Sequence, residues 1–327
     1  DSWNHRIQKF DSQGNPLLSF GSCGDGKGEL NEPYDILIDS SGTLIIVERY
    51  NHRIQFFDGD GKSLGWVGQR GTELEERLAD LFETPACLLA APLFEFPTSI
   101  AKDRCENYFI TDSGNHRIQI FDRNGTFLLG FGSSGSGNGQ FNQPHGITIS
   151  PDGEIFVADR HNHRIQVFDA NGNFLRKFGS QGNLEGQFNQ PIDLDFDDNG
   201  NLIVLSHGNN RVIYLTPAGQ YLRHWSCSGG SQYLRDLNNG LVGIAWSHYV
   251  AVYEHTGTRL KYWNKGSGTP SPFTSLPDGT LAIADRGNDK LRFYRPTFRT
   301  VRTDTSKDIP FPEVISVTQR AGKIGRA

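Results

Sequence analysis

The sequence predicts an all-β fold, a six-bladed β-propeller of four-stranded antiparallel blades, and three observations lead there. The pentapeptide Asn-His-Arg-Ile-Gln recurs at Asn4, Asn51, Asn115 and Asn162, with a variant, Asn-Asn-Arg-Val-Ile, at Asn209. Each copy lies in a stretch where short alternating runs are cut by glycine-, asparagine- and proline-rich turns. The composition agrees: 38 glycines and 36% hydrophobic residues in 327 suit many short strands and not long helices.

Periodicity comes first because it decides the whole architecture. The copies are spaced by 47, 64, 47 and 47 residues, so the period is 47 and one interval carries 17 extra residues. The clearest period runs from Pro144 to Gly179. Residues 144–149 alternate like a strand, and Pro151-Asp152-Gly153 signals a turn. Residues 154–159 form a second strand, His161-Asn162 turns the chain, and 164–169 form a third. Asn171-Gly172 is a two-residue hairpin signal ahead of a fourth strand, 173–179. A glycine-rich connection, 180–190, leads to the next proline, Pro191. Four strands in one such period make a propeller blade, and a lone blade cannot cover its own two faces, so several must stack.

Full repeats open at Pro33, Pro97, Pro144 and Pro191. A degenerate one opens near Val242, with strands at 242–246, 249–253 and 259–263. The last opens at Pro272 and supplies 273–276, 281–285 and 291–294. The N-terminus brings only outer strands, 6–11 and 16–21. If these complete the last blade, N- and C-terminal strands close a ring of six. Both ends carry a third-strand copy, so one is redundant.

The pattern Pro-x-Gly-Ile, Asp-Gly, Val-Ala-Asp, Asn-His-Arg-Ile-Gln-Val-Phe, Gly-x-Phe-Leu, Phe-Gly and Gly-Gln-Phe-Asn-x-Pro closely resembles the NHL repeat. The likeness runs from Asp1 to about Pro296, which sets the propeller at 1–296. The rest, 297–327, reads as a linker or the start of a further module, and weakly resembles junctions to extracellular modules in large bacterial proteins. An insertion at 70–96 departs from the repeat. Within it, Leu74, Leu78 and Leu81 have helical spacing, so 72–82 predicts a short amphipathic helix, followed by an apolar run, 86–94. It reads as a plug on the rim or as a partner-docking element.

The chain has no methionine and opens inside a repeat, which is expected of a processed secreted protein or of a fragment. An extracellular or cell-surface setting is slightly favoured on this reading. No apolar run is long enough to span a bilayer. A formal net charge of −5 gives no support for bulk attachment to nucleic acid or an anionic membrane. Cys23, Cys87, Cys105 and Cys227 are scattered and read as small buried residues, with a Cys87–Cys105 bridge the alternative.

Four histidines, His5, His52, His116 and His163, occupy one repeat position, beside an acid that ends the second strand (Glu48, Asp112, Asp159). Residues placed identically in every blade read as structural, with His and Arg bonding that acid and the turn backbone. The peptide-amidating lyase resembles this fold and holds zinc with three histidines. Here the residues after the repeat-opening prolines are Tyr34, Thr98, His145 and Ile192, only one of them histidine, so no cofactor or metal is expected. Binding remains. The turns between second and third strands offer Arg49, Tyr50, Arg160, His161, His207 and Arg286, and Tyr34, His145 and Asp193 could line the channel mouth. Arginine with exposed aromatics is the composition of interaction hot spots. The resemblance to NHL domains of the tripartite-motif family implies RNA or partner proteins on such a face. The expectation is a non-catalytic scaffold for a protein or glycan partner. RNA binding is the alternative, and a metal-dependent lyase using the pore is the remote one.

Overall fold

The computed structural model describes residues 5–10, 16–71, 93–227, 229–237, 240–246, 249–264, 273–275, 281–285 and 290–294. Among them are five four-stranded antiparallel blades, not six. Blade 1 comprises Pro33–Ile38, Leu44–Glu48, Arg53–Phe57 and Ser63–Val67; blade 2, Pro97–Lys102, Tyr108–Asp112, Arg117–Phe121 and Phe127–Phe131. Blade 3 comprises Pro144–Ile149, Ile155–Asp159, Arg164–Phe168 and Phe174–Phe178; blade 4, Pro191–Phe196, Leu202–Ser206, Arg211–Leu215 and Tyr221–Ser226. Blade 5 comprises Tyr233–Asp236, Leu241–Ala245, Tyr249–Glu254 and Arg259–Asn264. The strands of each blade pair in chain order, from innermost to outermost.

The expected sixth blade is not assembled. Ile7–Phe10 and Pro16–Phe20 form their own two-stranded sheet, and Phe273–Ser275, Leu281–Asp285 and Lys290–Tyr294 form a three-stranded one. The reason is the redundancy visible in the sequence. The C-terminal sheet keeps its own third strand, and the N-terminal hairpin brings a second copy that does not join it. That hairpin packs on blade 1 instead, with Ile7 and Phe20 against Leu30, Ile46 and Phe57. Blade 5 also begins earlier than expected. Its innermost strand is Tyr233–Asp236, and the run near Val242 is its second strand.

Burial lies between blades. Ile203, Leu205, Val212 and Tyr214 of blade 4 pack with Val242, Ile244 and Tyr253 of blade 5, and Phe109, Ile118 and Ile120 of blade 2 pack with Ile147, Ile155 and Val157 of blade 3. Outer strands have one covered face, so their solvent side carries exposed leucines in a repeated register: Leu17, Leu64, Leu128, Leu175 and Leu222. The hairpin at Asn171-Gly172 closes as a three-residue loop. The Asp169 amide donates to the Asn173 carbonyl at 3.0 Å, and Gly172 takes φ 77°.

The pentapeptide is the joint of each intact repeat. In blade 3 the Asp159 carboxylate is fully buried. It accepts from Asn162 Nδ2 (2.9 Å), Arg164 Nε (2.7 Å), Gln166 Nε2 (3.1 Å) and the Asn142 amide (2.8 Å). Arg164 then donates its outer nitrogens to the carbonyls of Ser136, Gly137 and Gln140, in the linker from blade 2. Glu48 in blade 1 and Asp112 in blade 2 hold Asn51, Arg53 and Gln55, and Asn115, Arg117 and Gln119, in the same way. A buried carboxylate needs both a cation and a full set of donors, and the repeat supplies both.

The histidine is a latch to the next blade. His52, His116 and His163 all sit in left-handed backbone, φ 52°, 57° and 54°. Their Nδ1 atoms accept from the amides of Phe96 (3.2 Å), Gln143 (3.0 Å) and Gln190 (3.1 Å) just before the next innermost strand. His5 does the same for Glu32 at 3.2 Å. An Nδ1 that accepts belongs to a neutral imidazole, and burial holds all three below the ordinary histidine range. Blade 4 has Asn210 in that place, which keeps the left-handed backbone, and Ser206 in place of the acid. Blade 5 drops the hub and packs Trp225 on Tyr253 at 4.6 Å.

The 17 extra residues enter one linker at a defined point. In three linkers a single parallel bridge closes a short loop: Cys23 to Leu30, Ser134 to Phe141, Gln181 to Phe188. In the linker from blade 1 to blade 2, Gln69–Arg70 pairs parallel with Leu93–Phe94 at the same place. The insertion is thus spliced into a loop whose ends are already held together. The helix expected at 72–82, most of the apolar run, Cys87 and 297–327 lie outside the described residues. Of the other cysteines, Cys227 is buried as expected, and Cys23 and Cys105 are exposed because they lie in linker and turn.

Two outcomes are expected. Asp159→Ala strands Arg164 in a dry joint and should cost about 3–5 kcal/mol, whereas Ser206→Ala in blade 4 should cost about 1 kcal/mol; denaturant midpoints decide, and equal losses would refute the hub. For the latch, a histidine whose folded pKa is depressed contributes stability in full above its unfolded pKa, near 6.5, and loses it as pH falls. His163→Asn should therefore lower stability by about 1 kcal/mol at pH 8, with the gap to the parent chain narrowing by pH 5. A gap that is constant with pH would show that the imidazole does not act as an acceptor.

Candidate functional site

The site forms where the innermost strands begin. In blades 1 to 4 the pairing of first and second strands shifts register just after the opening proline, at Pro33, Pro97, Pro144 and Pro191. Proline has no amide to give the ladder, and a bulge at that point re-aims the next side chain. Tyr34, Thr98, His145 and Ile192 are those residues. Two of them meet on the axis. Tyr34 of blade 1 lies 5.9 Å, ring to ring, from His145 of blade 3, with its hydroxyl 3.3 Å from Nε2. Tyr233 of blade 5 lies tilted, 5.8 Å ring to ring from Tyr34, and donates its hydroxyl to the Tyr34 carbonyl at 3.3 Å. Rings from three non-adjacent blades thus converge on one level of the channel.

Below this level the channel is acidic around one cation. Asp35 accepts from the Ser99 hydroxyl (3.0 Å) and the Ile100 amide (3.1 Å) of the next blade, and Asp193 accepts from the Leu234 amide (2.7 Å). Arg235 reaches both acids, at 3.2 Å to Asp35 and 3.8 Å to Asp193. Burial pushes Asp193 up to about 7, against the pull of Arg235. Between blades 3 and 4 the approach is closer still. A Cβ on Gly146 would stand 2.8 Å from Asp193 Cα, so only glycine lets these strands meet.

At the mouth the charge reverses. The Arg49 guanidinium lies over three rings, 5.1 Å from Tyr34, 5.8 Å from Tyr50 and 5.9 Å from Phe96. Its nearest acid is Glu32, at 4.0 Å. Arg160 donates to Gln190 Oε1 at 3.3 Å, and Nε of both arginines is buried without a hydrogen-bond acceptor. Burial pulls Arg160 below the usual guanidinium range, and Arg49 adds to that. His145 is driven to about 3 by burial, then by the positive charge of Arg160, with Arg49 and His207 contributing. Its Nδ1 faces the Ile192 carbonyl at 2.8 Å.

The structure brings Tyr34, Arg49, Tyr50, His145 and Arg160 together at this mouth. His161 sits beside it, with Nε2 2.9 Å from Gln143 Oε1, and His207 Nδ1 faces the Ser231 carbonyl at 2.7 Å. Asp193 belongs to the deeper acidic level, and Arg286 lies outside the described residues. Sequence reasoning missed Phe96, Tyr233 and Arg235. The Asn239-Gly240 hairpin signal could have revealed the strand that carries the last two. Phe96 occupies the same repeat position as Gln143 and Gln190. Among the described residues, no three His, Cys, Asp or Glu side chains gather where they could hold a metal ion.

The NHL-repeat family model matches residues 141–168, which span the linker end, the bulge, Asp159 and the latch of blade 3. The protein brain tumor of Drosophila melanogaster is 28% identical over 135 residues, 41% of this chain. This β-propeller carries an NHL repeat in blade 3. The match spans 11% of that relative's length. Solved structures share the fold of this propeller at low identity. A putative 6-phosphogluconolactonase from Bacteroides uniformis has a TM-score of 0.62 at 17% identity, covering 88% of this chain and 86% of that one. Virginiamycin B lyase from Staphylococcus aureus has a TM-score of 0.57 at 14% identity, covering 90% and 89%.

The mouth of the propeller makes one electrostatic prediction. Arg160→Gln removes a positive neighbour from His145, which favours the imidazolium, so the His145 pKa should rise from about 3. An NMR titration of the imidazole reads this directly. An unchanged titration would mean that Arg160 does not set the field of the channel.

Proposed function

We propose that this chain is a non-catalytic binding scaffold that engages a protein or glycan partner through the face carrying the turns between second and third strands. One observation supports this above the rest. The repeat's histidines, arginines and acids are consumed in joints between blades, while the polar side chains with spare bonding capacity collect on one face. Arg49, Tyr50, Arg160 and His161 stand there beside Phe96, and Tyr50 is 52% exposed. Rigid aromatics with arginine are what interfaces use for affinity. The channel histidine is held at both edges, by the Ile192 carbonyl and the Tyr34 hydroxyl, which favours a fixed wall over a proton shuttle. Similarity in fold to a lyase and a putative lactonase speaks for the fold and leaves chemistry to the site. Among the described residues no helix is long and apolar enough to cross a membrane.

The test is a glycan array and a peptide array probed with the purified chain, its Tyr50→Ala/His161→Ala variant and its Leu64→Ser/Leu128→Ser variant. Ligands lost at least tenfold with the turn-face changes, and kept with the outer-strand changes, support the reading. The reverse pattern would move the binding surface to the circumference. Tight binding of random-sequence RNA hairpins that weakens steeply with salt would put RNA first.

A further inference from the structure

The hub arginines and the arginines at the channel mouth differ in what they pair with. Arg53, Arg117 and Arg164 each have a buried carboxylate at 2.7–2.8 Å. Arg49 and Arg160, at the channel mouth, do not. Arg49 has one acid at 4.0 Å, and the Arg160 side chain donates to the neutral Gln190 amide oxygen at 3.3 Å. A half-buried guanidinium without a close counter-charge is costly to the free protein, and Arg49 and Arg160 both carry a buried Nε without an acceptor at the same mouth, where a group from outside can meet them. Both act on the same two groups: the Tyr34 phenol and the His145 imidazole lie in the field of each.

We propose that Arg49 and Arg160 form a single-anion pocket at the mouth, which takes one carboxylate side chain from a protein partner, with Tyr50 and Phe96 as its apolar rim. The proposal rests on the scaffold reading and names the group that the face selects. Guanidinium forks match a carboxylate in two parallel hydrogen bonds, and rings stacked on Arg49 hold its plane in place. The surroundings favour one anion over a chain of them. Glu32 flanks Arg49, and Glu95 lies beyond Phe96 with Arg70 at 3.6 Å. The channel beneath is lined by Asp35 and Asp193. An extended polyanion would meet these acids on either side, whereas one carboxylate meets only the two arginines.

The experiment is selection of a phage-displayed random heptapeptide library on the intact chain, followed by affinity measurements with synthetic copies of the peptides recovered. The pocket requires an Asp or Glu at one fixed position. Amidating that acid (Glu→Gln in the peptide) should weaken binding at least tenfold, Arg160→Gln in the chain should do the same, and the two together should cost no more than either alone. A circular-dichroism melt confirms that the variant is folded, and Arg160→Lys should recover only part of the loss. Peptides without a fixed acid, or with one that ignores both arginines, overturn the pocket and leave the scaffold reading intact. Binding confined to random-sequence RNA and lost in Arg49→Gln and Arg160→Gln also overturns it, in favour of a polyanion. A selection that yields no turn-face ligand at all overturns both.

Discussion

A carboxylate sealed from water holds each intact blade to the linker before it. Glu48, Asp112 and Asp159 are fully buried, and a buried charge persists only if its surroundings answer it completely. The answer comes from the same pentapeptide each time: asparagine and glutamine amides, one arginine Nε and one backbone amide. Ion pairs of this kind add little net stability over an apolar core. Their effect here is positional. The arginine spans from the acid to linker carbonyls, so the linker, the turn and the third strand are fixed as one piece. With those fixed, the histidine that follows the asparagine reaches the next blade, and its acceptor nitrogen sets where the next innermost strand starts. The bulge after each proline, and hence the side chain that faces the axis, depends on this chain of contacts.

Where the hub is lost, packing changes in kind. Blade 4 has Ser206 where the acid would be, and its hydroxyl accepts from the Asn189 amide at 2.9 Å, one of the four bonds a carboxylate makes. Blade 5 has Ala245 there and replaces polar specification with aromatic area: Trp225, Trp246 and Tyr253 share one buried cluster. An aromatic joint tolerates displacement that an arginine held by four hydrogen bonds does not. That freedom lets the innermost strand of blade 5 carry Tyr233 and Arg235, neither of which belongs to the repeat.

The repeat, its strands and its turns were legible in the sequence, because every copy repeats the same local signals in register; the histidines were expected to bond the strand-ending acid, whereas their Nδ1 atoms accept from the amide before the next innermost strand. The joint was legible in its parts: the acid and the His-Arg pair could be named, but not the linker carbonyls that Arg164 binds, which are 24 to 28 residues away. The blade count was not legible. It depends on whether two terminal sheets share an edge, and that is settled by pairing between distant segments that carry competing third-strand copies. Blade 5 was half legible because its innermost strand has no opening proline. Repeat position placed Tyr34, Arg49, Tyr50, His145 and Arg160 on one face, and the structure sets them near one another, since the register that repeats a joint also repeats the place of the residue beside it. Asp193 was placed one level too high for the same reason: adjacent residues on a bulged strand do not point to adjacent places.

A perfect repeat would make a poor binding site. It would put the same side chain around the axis at every level and give a ligand equivalent ways to sit. The channel mouth escapes this because the position after the proline is tyrosine, threonine, histidine and isoleucine in turn, and because blade 5 breaks the pattern altogether. Tyr34 meets His145 and Tyr233, so three unlike rings from three blades share one level. The positive charge above it comes from two turns whose repeat equivalents differ: Arg49 and Arg160 correspond to Ser113 in blade 2 and His207 in blade 4. The conserved joint and the varied mouth therefore divide the labour along one strand. The third strand's first residues hold the blades in register, and the turn just before them, freed from that task, gives the face its asymmetric charge.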